Sequence, residues 1–187
     1  MLGTDSVPAS KALPVRCLVD SSASMAPAFA RSAVAACGDI VAGISAVVSH
    51  QGTVDTTVLS PGTPGSRRVA PDQLGESLIA PPAAGFGLAV PIAAALAADT
   101  APRSLTVVIT DGPGGVPRNA GGPGRPVVTL AVADITSTDV FTGPAAVVSP
   151  RACDRHDVRA FLAERPDIVQ AVVGQILTPL REAGHLG

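Results

Sequence analysis

Asp20, Ser22 and Ser24 occupy alternate positions in the stretch Val19-Asp20-Ser21-Ser22-Ala23-Ser24-Met25. Carboxylate and hydroxyl oxygens are hard ligands, suited to Mg²⁺ in near-octahedral oxygen geometry, or to Mn²⁺. A turn after Asp20 aims alternate side chains at one point. A second carboxylate, Asp111, stands at the end of the apolar run SLTVVITDG, residues 104–112. In open parallel sheets, ligands bind outside the carboxyl ends of the strands, where the strand order reverses. If the strands ending at Asp20 and Asp111 are neighbours, the two carboxylates and the two serines share one crevice.

The elements that must position these groups are legible from periodicity. LPVRCLVD, residues 13–20, reads as a strand buried on both faces. Ala26 to Val48 then reads as one helix, with Phe29, Ala33, Cys37, Ile40, Val41, Ile44, Val47 and Val48 on its apolar stripe. Residues 53–60 form a second strand candidate, and residues 61–71 a turn followed by a short edge strand carrying Arg67 and Arg68. Those two arginines guard against edge-to-edge pairing. A short helix over 72–79 and another from Leu88 to Ala98 are expected. Residues 104–112, 127–134 and 145–149 are further strands. Two helices close the chain. The first starts near Asp154, with Asp157 three residues later, and ends before Pro166. The second carries Ile168, Val169, Val172, Val173, Ile176, Leu177 and Leu180 on one side. Strands alternating with helices predict an α/β domain, three-layer and doubly wound, with a mostly parallel sheet and helices on both faces. Residues 13–187 form this single domain and residues 1–12 a loose tail.

Composition narrows the function classes. The chain has 187 residues, 47% of them hydrophobic, so a packed core needs no disulfide or metal staple. A net charge of −2 gives no general attraction to nucleic acid or acidic membranes, and the absence of Trp and Tyr removes the usual base-stacking platforms. Cys17, Cys37 and Cys153 show no CxxC spacing and read as small buried hydrophobes in a reducing compartment. The N-terminus lacks a secretory pattern, and the apolar windows are broken short of the roughly 20 residues of a membrane span. A soluble, cytoplasmic protein is expected.

Asp20-x-Ser22-x-Ser24 between a buried strand and a helix, with Thr110-Asp111-Gly112 about 90 residues on, resembles the metal-ion-dependent adhesion site (MIDAS) of von Willebrand factor A domains. The resemblance covers residues 13 to 180 and extends to compact bacterial cytoplasmic members similar to the tellurite-resistance TerY group, a stress-response class. It implies a protein-binding module rather than an enzyme. Ser22 and Ser24 would bind the metal through their hydroxyls, Asp20 and Asp111 directly or through water, and a partner's acidic residue would complete the shell. The family's loop threonine is missing. Its aligned position holds Val90, and no Ser or Thr occurs from Leu78 through Asp99. Water can fill that place, so weak Mg²⁺ or Mn²⁺ affinity is expected.

Two other readings remain open on the residues alone. In one, the chain is a scaffold with a degenerate, metal-free site, where Ser22 and Ser24 cap the helix and Asp20 pairs with backbone N–H groups. In the other, Asp20 is a phosphoryl-transfer nucleophile beside Mg²⁺. That mechanism wants a second aspartate two residues on, where this chain has Ser22. The Gly- and Pro-rich stretch 112–126 lacks the P-loop lysine and hydroxyl and reads as a loop rimming the crevice. Asp134 and Asp139 either add negative charge to the same face or form turns.

Overall fold

The computed structural model describes residues 7–60, 65–88, 90–112, 116–117, 120–122, 124–134, 138–141, 143–150, 153 and 156–186. The chain runs β1 (Val15–Asp20), α1 (Ala26–Ala30), α2 (Ala33–Val48), β2 (Val54–Leu59), β3 (Gly65–Val69), α3 (Leu74–Ser77), α4 (Ile92–Ala97), β4 (Leu105–Thr110), β5 (Val127–Ala131), β6 (Ala145–Val147), α5 (Val158–Ala163) and α6 (Pro166–Glu182). The strands form one sheet in the order β3-β2-β1-β4-β5-β6. All neighbours are parallel except β2 and β3, which pair antiparallel. This is the expected doubly wound α/β architecture, and β1 and β4 are adjacent at the point where the strand order reverses.

Alternation along the strands builds two unequal layers. Val15, Cys17 and Val19 of β1, Leu105, Val107 and Ile109 of β4, and Val128 and Leu130 of β5 join a large core with α1, α2, α3, α5 and α6. Twelve of the sixteen residues of α2 are buried, because the sheet lies on one side and other helices on the rest. The opposite face is thinner. Leu18, Leu59 and Val108 meet Ile92 of α4 and Val116 of the following loop.

The described part of the Gly- and Pro-rich stretch does more than rim the crevice; residues 113–115, 118–119 and 123 lie outside the described residues. Among the described residues of this segment, Asp111 and Gly112 border the carboxyl ends of the strands. Val116 is buried in the second core, and the Gly124 carbonyl accepts the Ser104 N–H at the opposite end of β4. The described part of the loop covers a sheet face that a helix would otherwise cover.

The single helix expected over residues 26–48 is broken. Ser32 has φ 56°, the left-handed region, and the two halves meet at 80°. The Arg31 carbonyl accepts the Val158 N–H at the start of α5, and the Arg31 Nε–H donates to the His156 carbonyl. Docking of α5 takes the carbonyl that a continuous helix would have used internally. α5 is capped by Asp157, whose side chain accepts the Ala160 N–H; the expected Asp154 lies outside the described residues. Among the described residues no single helix is long and apolar enough to cross a membrane. Of the expected tail, residues 7–12 are described: Val7 is buried and donates its N–H to the Val47 carbonyl. Cys17, Cys37 and Cys153 are all buried. Burial pushes the Cys17 thiol up to about 12, so it stays protonated and inert.

Asp99 ties α4 to the sheet. Arg16 Nη1 lies 2.6 Å from its Oδ2, the Ala101 N–H donates to Oδ1 and the Ser104 hydroxyl to Oδ2. Burial opposes its ionised form, but the Ala101 N–H, Arg16 and Ser104 together hold the carboxyl below its ordinary value of 3.8. A folded-state value below the unfolded one stabilises above the unfolded value and loses that stabilisation as the pH falls through the folded value. Thermal melts from about pH 6 to 2.5 should show the stability gap between wild type and Asp99→Asn closing as the pH drops.

Candidate functional site

The site lies where β1 and β4 end side by side. The Ser21 hydroxyl donates to the Leu59 carbonyl at 2.7 Å, which fastens the end of β1 to β2. The chain then turns. The Ser22 N–H donates to Asp20 Oδ1 at 2.7 Å, and the Thr110 hydroxyl donates to Asp20 Oδ2 at 2.7 Å. Asp20 is 5% exposed, so both bonds form in a poorly solvated place and fix the carboxylate's orientation. The Thr110 hydroxyl in turn accepts the Gly112 N–H at 3.3 Å, which orders the backbone on either side of Asp111.

Ser22 Oγ and Ser24 Oγ lie 3.0 Å apart. Residues 23–25 form one turn of 3₁₀ helix before α1, and this tight turn brings the two hydroxyls together. Neither Ser22 nor Met25, the residues that open the two helical pieces, makes a side-chain cap. The capping role expected under the metal-free reading is therefore absent, whereas the pairing of Asp20 with a backbone N–H, expected under the same reading, is present.

Asp20, Ser22 and Ser24 thus form one group. Asp111 is half-buried at the end of the neighbouring strand, on the same edge of the sheet, and no hydrogen bond joins it to the other three. Among the described residues no group of three or more His, Cys, Asp or Glu side chains could hold a metal ion. Any cation here would rest on two carboxylates and two hydroxyls.

Val90 belongs to the opposite side of the sheet. It is half-buried and packs with Leu18, Leu59, Ile92, Val108 and Val116. The loop before it does reach the crevice. Gly87 donates its N–H to the Ser21 carbonyl at 3.0 Å and accepts the Ala23 N–H at 2.7 Å, a short parallel bridge with Ser22.

Thr110 is the residue that motif reading undervalued. TDG marks it, but its hydroxyl as the lock on Asp20 follows only once β1 and β4 are neighbours in register, Val19 opposite Ile109. Asp134 accepts a hydrogen bond from the Ser149 hydroxyl, a local tie between the loops after β5 and β6.

The fold has solved counterparts. Proximal thread matrix protein 1 from the mussel byssus matches with a TM-score of 0.52 at 12% identity, over 92% of this chain and 48% of that one. A von Willebrand factor type A protein from Catenulispora acidiphila matches at 0.47, with 11% identity over 87% of this chain and 43% of that one. The pilus adhesin SpaC from Lactobacillus rhamnosus GG matches at 0.44, with 13% identity over 92% and 32%. This chain spans less than half the length of each. No protein-family model matches the chain, and no curated protein matches it in sequence. The likeness is one of fold.

Proposed function

We propose that the chain is a protein-interaction module whose Asp20 and Asp111 face holds Mg²⁺ or Mn²⁺ weakly and receives an acidic residue from its partner. The observation that carries this reading is the uncapped Ser22–Ser24 pair beside Asp20 at the switch point of the sheet. Adjacent oxygens of an octahedron with metal–oxygen distances of about 2.1 Å lie roughly 3.0 Å apart, and the two hydroxyls, here hydrogen-bonded to each other at 3.0 Å, already stand at that separation. Each Asp20 oxygen accepts one hydrogen bond and keeps further acceptor capacity. A bound cation would supply charge to attract a carboxylate from outside; Ser22, Ser24, Asp20 and Asp111 are the residues that would hold it. The motif resemblance extends the proposal to a von Willebrand factor A-type, bacterial, cytoplasmic protein of the tellurite-resistance kind.

The site is assigned no catalytic step. The position two residues beyond Asp20 offers a serine rather than a second acid. A metal-free scaffold is the competing reading, favoured by the way the Ser22 N–H and the Thr110 hydroxyl already engage Asp20. Capture from native extract separates the two. Under the module reading, a partner is retained in Mg²⁺, released by EDTA and lost with Asp20→Asn. Retention indifferent to EDTA and to that substitution supports the scaffold.

The absent threonine gives a further expected result. Because the Val90 side chain packs into the second core, Val90→Thr places its hydroxyl there, at a cost of about 1 kcal/mol. Mn²⁺ affinity should change by less than about twofold, read by titration beside a thermal melt. A tenfold gain would show that the side chain turns to the crevice.

A further inference from the structure

Alternation along β4 turns Thr106, Val108 and Thr110 to the thinner side of the sheet. Val108 packs in the second core, and the Thr110 hydroxyl holds Asp20. Thr106 is 3% exposed and stands opposite Val127 of β5. Its hydroxyl has no hydrogen-bond partner among the described residues. A buried hydroxyl left without a partner is costly, and a valine of the same shape would avoid that cost.

Thr106 lines a hollow of about 210 Å³. α4 has only six residues and covers this side of the sheet in part, so the hollow lies between it and the described part of the following loop. Leu96 and Ala97 of α4, Pro117 and Ala120 of the loop, and Val127 of β5 supply apolar walls. Two charged residues, Asp99 and Arg125, also line it. The Asp99 carboxylate is already engaged by Arg16, the Ala101 N–H and the Ser104 hydroxyl. Arg125 is held by one bond, from Nη1 to the Asp99 carbonyl at 2.7 Å, and its remaining N–H groups have no partner among the described residues. Two guanidiniums and one carboxylate leave a net positive charge at this spot.

We infer that this hollow is a binding site for a short-chain aliphatic carboxylate. The Arg125 guanidinium and the Thr106 hydroxyl donate to its oxygens, and its alkyl chain lies against the apolar walls. Both unused groups can donate and the guanidinium can do nothing else, so the ligand accepts; the uncompensated charge is positive, so the ligand is an anion. Apolar walls favour an alkyl body over phosphate or sulfate, whose oxygens would face them without partners. At about 30 Å³ per non-hydrogen atom the space takes about seven, which suits butyrate or valerate. The hollow is at the opposite end of β4 from Asp20 and Asp111, and the inference does not rest on the role proposed for them.

Titration of the protein with butyrate, in EDTA and followed by amide NMR shifts, tests this. Saturation with a dissociation constant of about 0.1–5 mM is expected, with the shifts centred on Ala97, Thr106 and Val127. Butyramide, which has butyrate's shape without its charge, should bind at least tenfold more weakly. Thr106→Val keeps the side chain's shape and removes only the hydroxyl. It should bind butyrate at least fivefold more weakly while melting no lower than the wild type, since no bond is lost from the free protein. No saturation by about 50 mM butyrate would leave the hollow to water and overturn the inference. Shifts centred elsewhere, or equal binding of butyramide, would do the same. So would a Thr106→Val variant that binds like the wild type, or one that melts well below it, because the hydroxyl would then already have a partner.

Discussion

Asp20→Ala should lose both the metal response and a substantial part of the protein's stability. The carboxylate is buried and accepts from the Ser22 N–H and the Thr110 hydroxyl, each at 2.7 Å. Thr110 is itself 1% exposed. Truncation takes the acceptor from a half-buried N–H and leaves the buried Thr110 hydroxyl only its longer 3.3 Å bond to the Gly112 carbonyl, a cost of about 2–3 kcal/mol for the two together. Unfolding in urea, with the slope unchanged, measures that cost. Asp20→Asn separates the two roles. It keeps the side chain's size and one accepting oxygen for the Ser22 N–H, and the Thr110 hydroxyl can turn to donate to the Gly112 carbonyl and accept from the new amide, so stability should fall by only about 1 kcal/mol, while loss of the charge weakens divalent binding at least tenfold. A stability loss as large in Asn as in Ala would place the importance of Asp20 in its charge within the fold instead.

Gly75→Ala should be as damaging at a distance from the crevice. A Cβ at Gly75 would sit 1.9 Å from Asp39 Oδ1 and 2.9 Å from the Ala35 carbonyl oxygen. Asp39 could swing away, but the Ala35 carbonyl is backbone inside α2 and cannot. Moving Asp39 also breaks its bond to Arg159, whose Nε and Nη2 donate to the two carboxylate oxygens at 2.7 and 3.2 Å. Nη1 of the same arginine donates to Glu76 at 2.9 Å, so Arg159 joins α5 to both α2 and α3. Overpacking plus loss of that clamp should cost about 2–3 kcal/mol, a fall of roughly 4–12 °C in melting temperature for a chain of this size. Gly75→Ala combined with Asp39→Ala should be less than additive, because the second change removes the atom the new methyl meets.

These two results rest on features of different legibility. Asp20 and Asp111 could be placed from sequence because continuous β-branched runs ending in an acid specify a buried strand and its tip. Their adjacency could only be stated as a condition, since strand order depends on which crossover each helix makes. The break at Ser32 was not legible: Ala-Arg-Ser-Ala contains no Gly or Pro, and the partners of Arg31 at the break, the Val158 N–H and the His156 carbonyl, lie about 125 residues later in the chain. The Gly75 contact was equally hidden, because a glycine in a short helix carries no mark of what approaches it. The Gly- and Pro-rich stretch was correctly a loop, yet its buried Val116 looked the same as any loop valine until the thin second layer was seen. Val90 illustrates the converse. Alignment of a motif assigned it to the crevice, and packing assigns it to the core.

Mn²⁺ titration of wild type and Asp20→Asn, followed by the spin resonance of the free ion, addresses the proposed shared site most directly. One saturable site per chain with a dissociation constant of about 0.1–5 mM, lost in the folded Asn variant, is the expected result. No saturable binding by the wild type at about 10 mM, or equal binding by the two proteins, would show that the two aspartates and two serines do not share an ion.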